Sequence, residues 1–302
     1  MATKLYGEVE NIPVELSGRV AVKLHMGEMG VKTYVSPRDV AVLVKKIKDN
    51  GGEPFLVDTT TLYPKMRYTP EGYMEVAKKH GFGKFDVVIA DDEEYVDVDG
   101  FRVARVIAEA DSLLLLTHVT GHRTTGIGAA IKNLSMGCVV KESKRLIHSH
   151  MRPVYDEVKC IRCGSCVKAC PFGFISLREK AEFRLKDCPA CGRCIESCAT
   201  GALRMEPGGA TKSFRDFAKG AKAVVKLFPG EKLLCVNVIK NVTEYCDCSS
   251  QSRIVSKDIG YLAGRDPLKL DTESAGLLMK GGARLDWDTW KRFESVARTV
   301  FM

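Results

Sequence analysis

At 302 residues, 45% hydrophobic and 28% charged, the chain has an ordinary globular composition, with room for one large domain or two average ones. Its longest strongly apolar run, Leu113 to Leu116, is too short to span a bilayer, and Met1 to Tyr6 offer no apolar core for a signal peptide. The formal charge of +8 does not point to nucleic acid, because the basic residues are dispersed without an interleaved aromatic stripe. A cytoplasmic location with reduced cysteines is the expectation, and the near absence of amides (glutamine occurs once, at Gln251) is a thermophile tendency.

In chain order, Val20 to Leu24 reads as a buried strand. Ser36-Pro37-Arg38-Asp39 is a helix start, with a capping serine and a proline at the first helical position. That helix runs to about Lys48 and stops at Gly51-Gly52. Pro54 to Val57 is the next strand, ending at Asp58-Thr59-Thr60. Thr69-Pro70-Glu71 opens a second helix that closes near His80-Gly81. Asp86 to Ala90 and Ser112 to Thr117 are further strands, with Asp91-Asp92-Glu93-Glu94 a solvated turn between them. Such alternation predicts an α/β fold with a mainly parallel sheet flanked by helices.

After the leucine strand comes Thr117-His118-Val119-Thr120-Gly121-His122-Arg123-Thr124-Thr125-Gly126-Ile127-Gly128, then a helix carrying Lys132-Asn133 and ending near Gly137. A glycine loop between a strand's carboxyl end and a helix N-terminus is where open α/β sheets bind ligands. Its backbone amides suit an anion, with Arg123, Thr124, Thr125, Lys132 and Asn133 at hand. His118, His122 and Lys132 are the candidate catalytic groups, the two imidazoles serving proton transfer or a metal. Gly126-Ile127-Gly128 alone is no dinucleotide fingerprint, since the third glycine is missing. His148 and His150 read as a solvated pair on an extended segment.

Eight cysteines then follow one rule twice: Cys160, Cys163, Cys166 and Cys170-Pro171, and Cys188, Cys191, Cys194 and Cys198-Ala199. C-x2-C-x2-C-x3-C is the spacing of two 4Fe-4S clusters in which the fourth cysteine of each run ligates the other cluster. The crossed sets are Cys160, Cys163, Cys166 and Cys198, and Cys170, Cys188, Cys191 and Cys194. Zinc sites use paired doublets, and each run here has three evenly spaced cysteines plus a fourth. Two such clusters with their thiolates carry about two negative charges each, offsetting roughly half the positive excess.

Beyond this segment, Ser213 to Phe228 is helical, Lys232 to Ile239 strand-like, Asp271 to Lys280 helical, and Asp286 starts a last amphipathic helix through Trp287, Trp290, Phe293 and Val300. The expected organisation is a discontinuous α/β domain of residues 1–153 and 207–302, with an inserted α+β ferredoxin-like domain of two 4Fe-4S clusters at 154–206. Cys246-Asp247-Cys248, read as extended, sends both thiols to one side. They are either ligands of an extra metal, with His118 and His122, or packing residues. Cys138 and Cys235 read as packing. Asp258, Asp266 and Asp271 are helix caps by default.

In combination, Thr117-His118, the threonine–glycine loop, Lys132-Asn133 with Gly137, Cys246-Asp247-Cys248, Asp258-Ile259-Gly260 and Asp266-Pro267 resemble the family called domain of unknown function 362, many members of which carry a two-cluster insertion. The resemblance spans nearly the whole chain and implies an iron–sulfur-binding α/β protein without a settled substrate. The placing of loop histidines and a lysine is also similar to the lactate racemase fold. The functional expectation is an iron–sulfur oxidoreductase. It would take electrons from a redox partner protein and pass them through two 4Fe-4S clusters to a small anionic substrate, an anionic cofactor or an additional metal. Two alternatives stay open: a non-enzymatic carrier or adaptor docking on a redox complex, and a metal-dependent racemase- or hydrolase-like enzyme with structural clusters. No membrane span and no nucleic-acid partner are expected.

Overall fold

A computed structural model describes residues 2–91, 93–186, 188–248 and 252–302. Met1, Asp92 of the acidic run and the single glutamine, Gln251, lie outside the described residues. The first half holds β1 (Lys4–Tyr6), β2 (Arg19–Lys23), α1 (Pro37–Asp49), β3 (Glu53–Thr59), α2 (Pro70–Lys79), β4 (Val87–Ala90), β5 (Tyr95–Val98), β6 (Phe101–Ala104), α3 (Arg105–Ala108), β7 (Ser112–His118), β8 (Thr120–His122), β9 (Gly126–Gly128), α4 (Ala130–Gly137) and α5 (Lys141–Ser149). The cysteine segment adds β10 (Pro153–Tyr155), α6 (Ser165–Ala169), β11 (Ile175–Leu177), β12 (Ala181–Phe183), α7 (Arg193–Glu196) and β13 (Leu203–Met205). The chain closes with α8 (Gly209–Leu227), β14 (Leu233–Ile239), β15 (Gly260–Gly264), α9 (Pro267–Lys280) and α10 (Trp287–Phe301).

Seven strands form one sheet in the order β1-β15-β14-β7-β2-β3-β4. Neighbours from β14 to β4 pair in parallel, and β15 runs antiparallel to both β14 and β1. The sheet is buried on both faces because its strands are apolar on both. Leu113 and Leu115 point into the core shared with α4, α8, α9 and α10, while Leu114 and Leu116 join the core under α1 and α2. Local signals set the helix starts: Ser36 accepts from the Arg38 amide, Thr69 from Gly72, Asp266 from Lys269 and Asp286 from Thr289. Helix α9 begins at Pro267, ahead of Asp271. Among the described residues no helix is long and apolar enough to cross a membrane.

One element was not anticipated and one differs from expectation. The stretch after the acidic run is a β5–β6 hairpin turning at Asp99-Gly100, both with positive φ. His148 sits on α5 rather than an extended segment and is buried, while His150 is half-exposed and faces Asp216 at 3.4 Å.

Strands β10 and β13 pair antiparallel, Tyr155 opposite Leu203, and bring the two ends of the cysteine segment together. Between them lie the β11–β12 hairpin and two short helices, each begun by a left-handed glycine, Gly164 and Gly192. Arg162 and Ala190, two residues earlier, are also left-handed. The cysteine repeat is therefore a backbone repeat too.

Candidate functional site

Strand order places a cleft where the chain changes direction across the sheet. From β2 the chain moves outward through β3 to β4, then returns to β7 on the other side of β2. Helices diverge at such a switch point and leave a crevice beyond the strands' carboxyl ends. Its walls carry Lys23 at the end of β2 and His25 just beyond it, Asp58 and Thr59 at the end of β3, Thr117 and His118 at the end of β7, and Lys132 of α4. The cleft takes in about 910 Å³ of space, its open mouth included.

Charge in the cleft is paired almost throughout. The Lys23 ammonium meets Asp58 at 3.0 Å and donates to Asn133 Oδ1 at 2.6 Å, with Lys23 itself only 1% exposed. Tyr73 donates its hydroxyl to the other Asp58 oxygen. Arg67 donates to Glu28 at 3.1 Å, and Lys144 to the Thr59 hydroxyl at 2.6 Å. His118 Nδ1 meets Asp247 Oδ2 at 2.7 Å and its Nε2 donates to the Lys240 carbonyl at 2.8 Å. Burial works against the charged imidazole, but Asp247 and the carbonyl outweigh it, so His118 titrates above the usual value. Two other histidines stay neutral: burial, then the nearby Lys132 charge, holds His122 well below the ordinary range and brings His148 down to about 4.

Lys132 is the exception. Its ammonium reaches into the cleft with no hydrogen bond or ion pair among the described residues, and burial lowers it to about 8. Lys23, Arg67 and His118 each face a carboxylate (Asp58, Glu28 and Asp247), which leaves Lys132 as a cleft cation without an ion pair among the described residues.

Several loop residues are committed elsewhere. The glycine–threonine loop is a β8–β9 hairpin, and the amides opening α4 are already filled. Asp271 accepts from Ala130 N at 2.8 Å and Ile131 N at 2.9 Å, and burial lifts its carboxyl to about 7. The expected backbone cradle for an external anion is thus occupied by an internal carboxylate. Asn133 is spent on Lys23, Thr117 and the Leu116 carbonyl. Thr125 bonds His122 and the Ile127 carbonyl. Arg123 lies 4.3 Å over the Tyr245 ring and reaches Glu196 of α7 at 3.3 Å, so it ties the hairpin to the cysteine segment. Thr124 lines the cleft's outer cavity. Gly126, with φ +75°, lets the hairpin lie on α10, since a Cβ there would fall 2.5 Å from the Trp290 nitrogen.

The four residues expected at an extra metal site are not gathered as ligands. Cys246 and Cys248 are joined in a disulfide, with Cα atoms 5.3 Å apart in a turn instead of a strand. Both nitrogens of His118 are engaged, and a metal ligand needs a bare one. Among the described residues no three His, Cys, Asp or Glu side chains converge on a single ion. The expectation of wholly reduced cysteines fails at this pair too, while Cys138 and Cys235 are buried core thiols.

The eight remaining cysteines surround two small cavities. Cys160, Cys163, Cys166 and Cys198 line one; Cys170, Cys188, Cys191 and Cys194 line the other. Burial, then the neighbouring Cys188, Cys191 and Cys170, pushes the Cys194 thiol up to about 12. Such a crowd of sulfurs ionises together only around strong positive charge. Backbone amides also point at sulfur, from Ala190 to Cys188, Phe174 to Cys170 and Leu203 to Cys198, at 3.3–3.4 Å. Donor set and cavities fit two cubic 4Fe-4S clusters, one per crossed set. Cys191 also faces the outer cavity of the cleft, together with His122, His148, Cys246 and Cys248. Tyr63 bridges the two regions, stacking on Phe172 at 5.6 Å.

Comparison with known proteins names the family. The model of the family described as domain of unknown function (DUF362) matches residues 20–276. The chain belongs to the DUF362 family. No curated protein matches it. Among solved structures, a Thermotoga maritima protein has 11% identity and a TM-score of 0.45, over 90% of this chain and 56% of that one. The lactate racemase apoprotein of Thermoanaerobacterium thermosaccharolyticum has 13% identity and a TM-score of 0.38, over 91% and 52%. The chain thus spans about half the length of either structure.

Lys23, His25, Asp58, Arg67 and Tyr63 were not signalled by any motif. A polar residue directly after an apolar strand core, as in Val20-Ala21-Val22-Lys23 and Phe55-Leu56-Val57-Asp58, is the pattern that marks the first and third of them.

Proposed function

We propose that this DUF362 protein is an iron–sulfur oxidoreductase. Electrons from a redox partner would pass by two 4Fe-4S clusters, held by the two crossed cysteine sets, to a small anionic substrate in the switch-point cleft. The observation that carries this reading is the shared wall: Cys191 lines the cluster cavity on one side and the cleft's outer cavity on the other. When bound, the clusters supply single-electron transfer.

The chain's own residues do the rest. Lys132, without an ion pair among the described residues, is the cation left to receive the substrate's negative charge. The Lys23–Asp58 and Arg67–Glu28 pairs, both buried, hold the floor in place. Asp247 fixes the His118 ring and its charge. His122 and His148, held neutral, line the outer cavity without adding charge to it.

Anaerobic reconstitution, iron and sulfide analysis and electron paramagnetic resonance test the reading. The expected content is about eight irons per chain with coupled signals on reduction, and about four irons in Cys191→Ala. Zinc in place of iron, or no labile sulfide, sinks it.

A further inference from the structure

We infer that the Cys246–Cys248 disulfide is a redox centre of the cleft, reduced to a dithiol by electrons that arrive through the Cys170, Cys188, Cys191 and Cys194 site. This rests on the iron–sulfur reading above and assigns that reading a two-electron store.

A structural staple is a poor explanation of the bond. Disulfides stabilise by restricting the unfolded chain, and the effect shrinks with the loop they close. Here the sequence separation is two residues, which leaves little to restrict. Placement argues for chemistry instead. Both cysteines line the substrate cleft and also the outer cavity that Cys191 faces. It is the one disulfide among the described residues, and it stands between the cluster wall and the cleft.

The turn is built to survive opening of the bond. Asp247, between the two cysteines, is held by His118 at 2.7 Å and by the Thr33 hydroxyl at 3.3 Å. The Cys248 amide donates to Cys246 Sγ at 3.2 Å, so negative charge developing on that sulfur as the S–S bond breaks already has a donor. The step balances as one disulfide plus two electrons and two protons giving two thiols. The S–S bond breaks and two S–H bonds form. An external one-electron donor of the ferredoxin or flavodoxin class supplies the electrons singly, and the two cysteine sets match that count of two. Protons come from Lys132, in the same cleft, and from water at its open mouth. A dithiol then delivers two electrons at once, which single-electron carriers do not.

The test uses the full chain, reconstituted anaerobically and reduced stepwise with photoreduced deazaflavin. Samples are quenched with iodoacetamide, and peptide 241–253, which contains only these two cysteines, is read by mass spectrometry. Before reduction the peptide takes up no label. After reduction it takes up two, at least tenfold faster than in Cys191→Ser or in wild-type protein that was never reconstituted. The unreconstituted wild type keeps the comparison valid should the variant fold poorly. Three results overturn the inference: label before reduction, equal labelling without clusters, or no label in protein whose reduced clusters are visible by electron paramagnetic resonance. In the last case the iron–sulfur reading stands. A chain that binds no iron removes both.

Discussion

A lysine ammonium buried without a carboxylate beside it gives up its proton more readily than one in water. Lys132 comes close to that position: it has no ion pair among the described residues, and burial lowers it to about 8 although the Asp247 charge pulls the other way. At pH 8 roughly half of it is neutral amine, against under about 1% for an ordinary lysine near 10.4. Competitive acetylation with acetic anhydride, read by peptide mapping, should give Lys132 a reactivity midpoint near pH 8. Exposed lysines should titrate near their usual value. A midpoint above 10 would mean that the side chain has found a partner or leaves the cleft. The sign also fixes anion affinity, which weakens as pH rises through 8 and the charge is lost. Residues of this sort are visible in sequence only as types. The lysine itself stood out because it opens a helix after a strand and glycine loop. Its isolation depends on Asp58 going to Lys23, Glu28 to Arg67 and Asp247 to His118, and such pairings join segments far apart in the chain.

Among elements, the β8–β9 hairpin holds the cleft together because it touches both the helical body and the Cys246 turn. The Gly121 amide donates to the Thr243 carbonyl at 2.7 Å, and a Cβ on Gly121 would fall 2.0 Å from the Glu244 carbonyl oxygen. Gly121→Ala should therefore push the 243–248 segment off the hairpin. We expect a loss of about 2–4 kcal/mol in denaturant unfolding, of the size seen for steric conflict in a packed interior. Faster proteolytic nicking between residues 243 and 253 should accompany it. Unchanged stability would show that the segment moves aside freely. What could be read at this scale followed from locality. Caps at Ser36, Thr69 and Asp286 and the four leucines of β7 act within one turn or one strand, so the sequence displays them. The hairpin did not display itself, since glycine and threonine also suit an irregular loop. Helix α5 was hidden as well, because its start at Val140 has no capping side chain. Cys246-Asp247-Cys248 reads equally as strand or turn, and only the fold decides that the sulfurs meet.

For the whole molecule, the decisive arrangement is a sheet-and-helix body interrupted by a segment whose two ends lie side by side. Tyr155 pairs with Leu203, so residues 156–202 should be replaceable by an Asn-Gly hairpin turn. The shortened chain is expected to keep its helical circular dichroism and a single cooperative melt while binding no iron. Collapse to an unfolded chain would show that Arg123–Glu196 and Tyr63–Phe172 are required for the body itself. The sheet order carries a further consequence, for the life of the chain on the ribosome. Strand β7 has β2 on one side, but its other neighbour, β14, is translated only after the whole cysteine segment, and β1 waits longer still for β15. Emerging chains fold from the N-terminal side. The segment that holds the eight cysteines is thus complete, and fastened by its own short ladder, while the body still has an open edge. On the proposed iron–sulfur reading, the clusters would have their ligands in place before the sheet is finished.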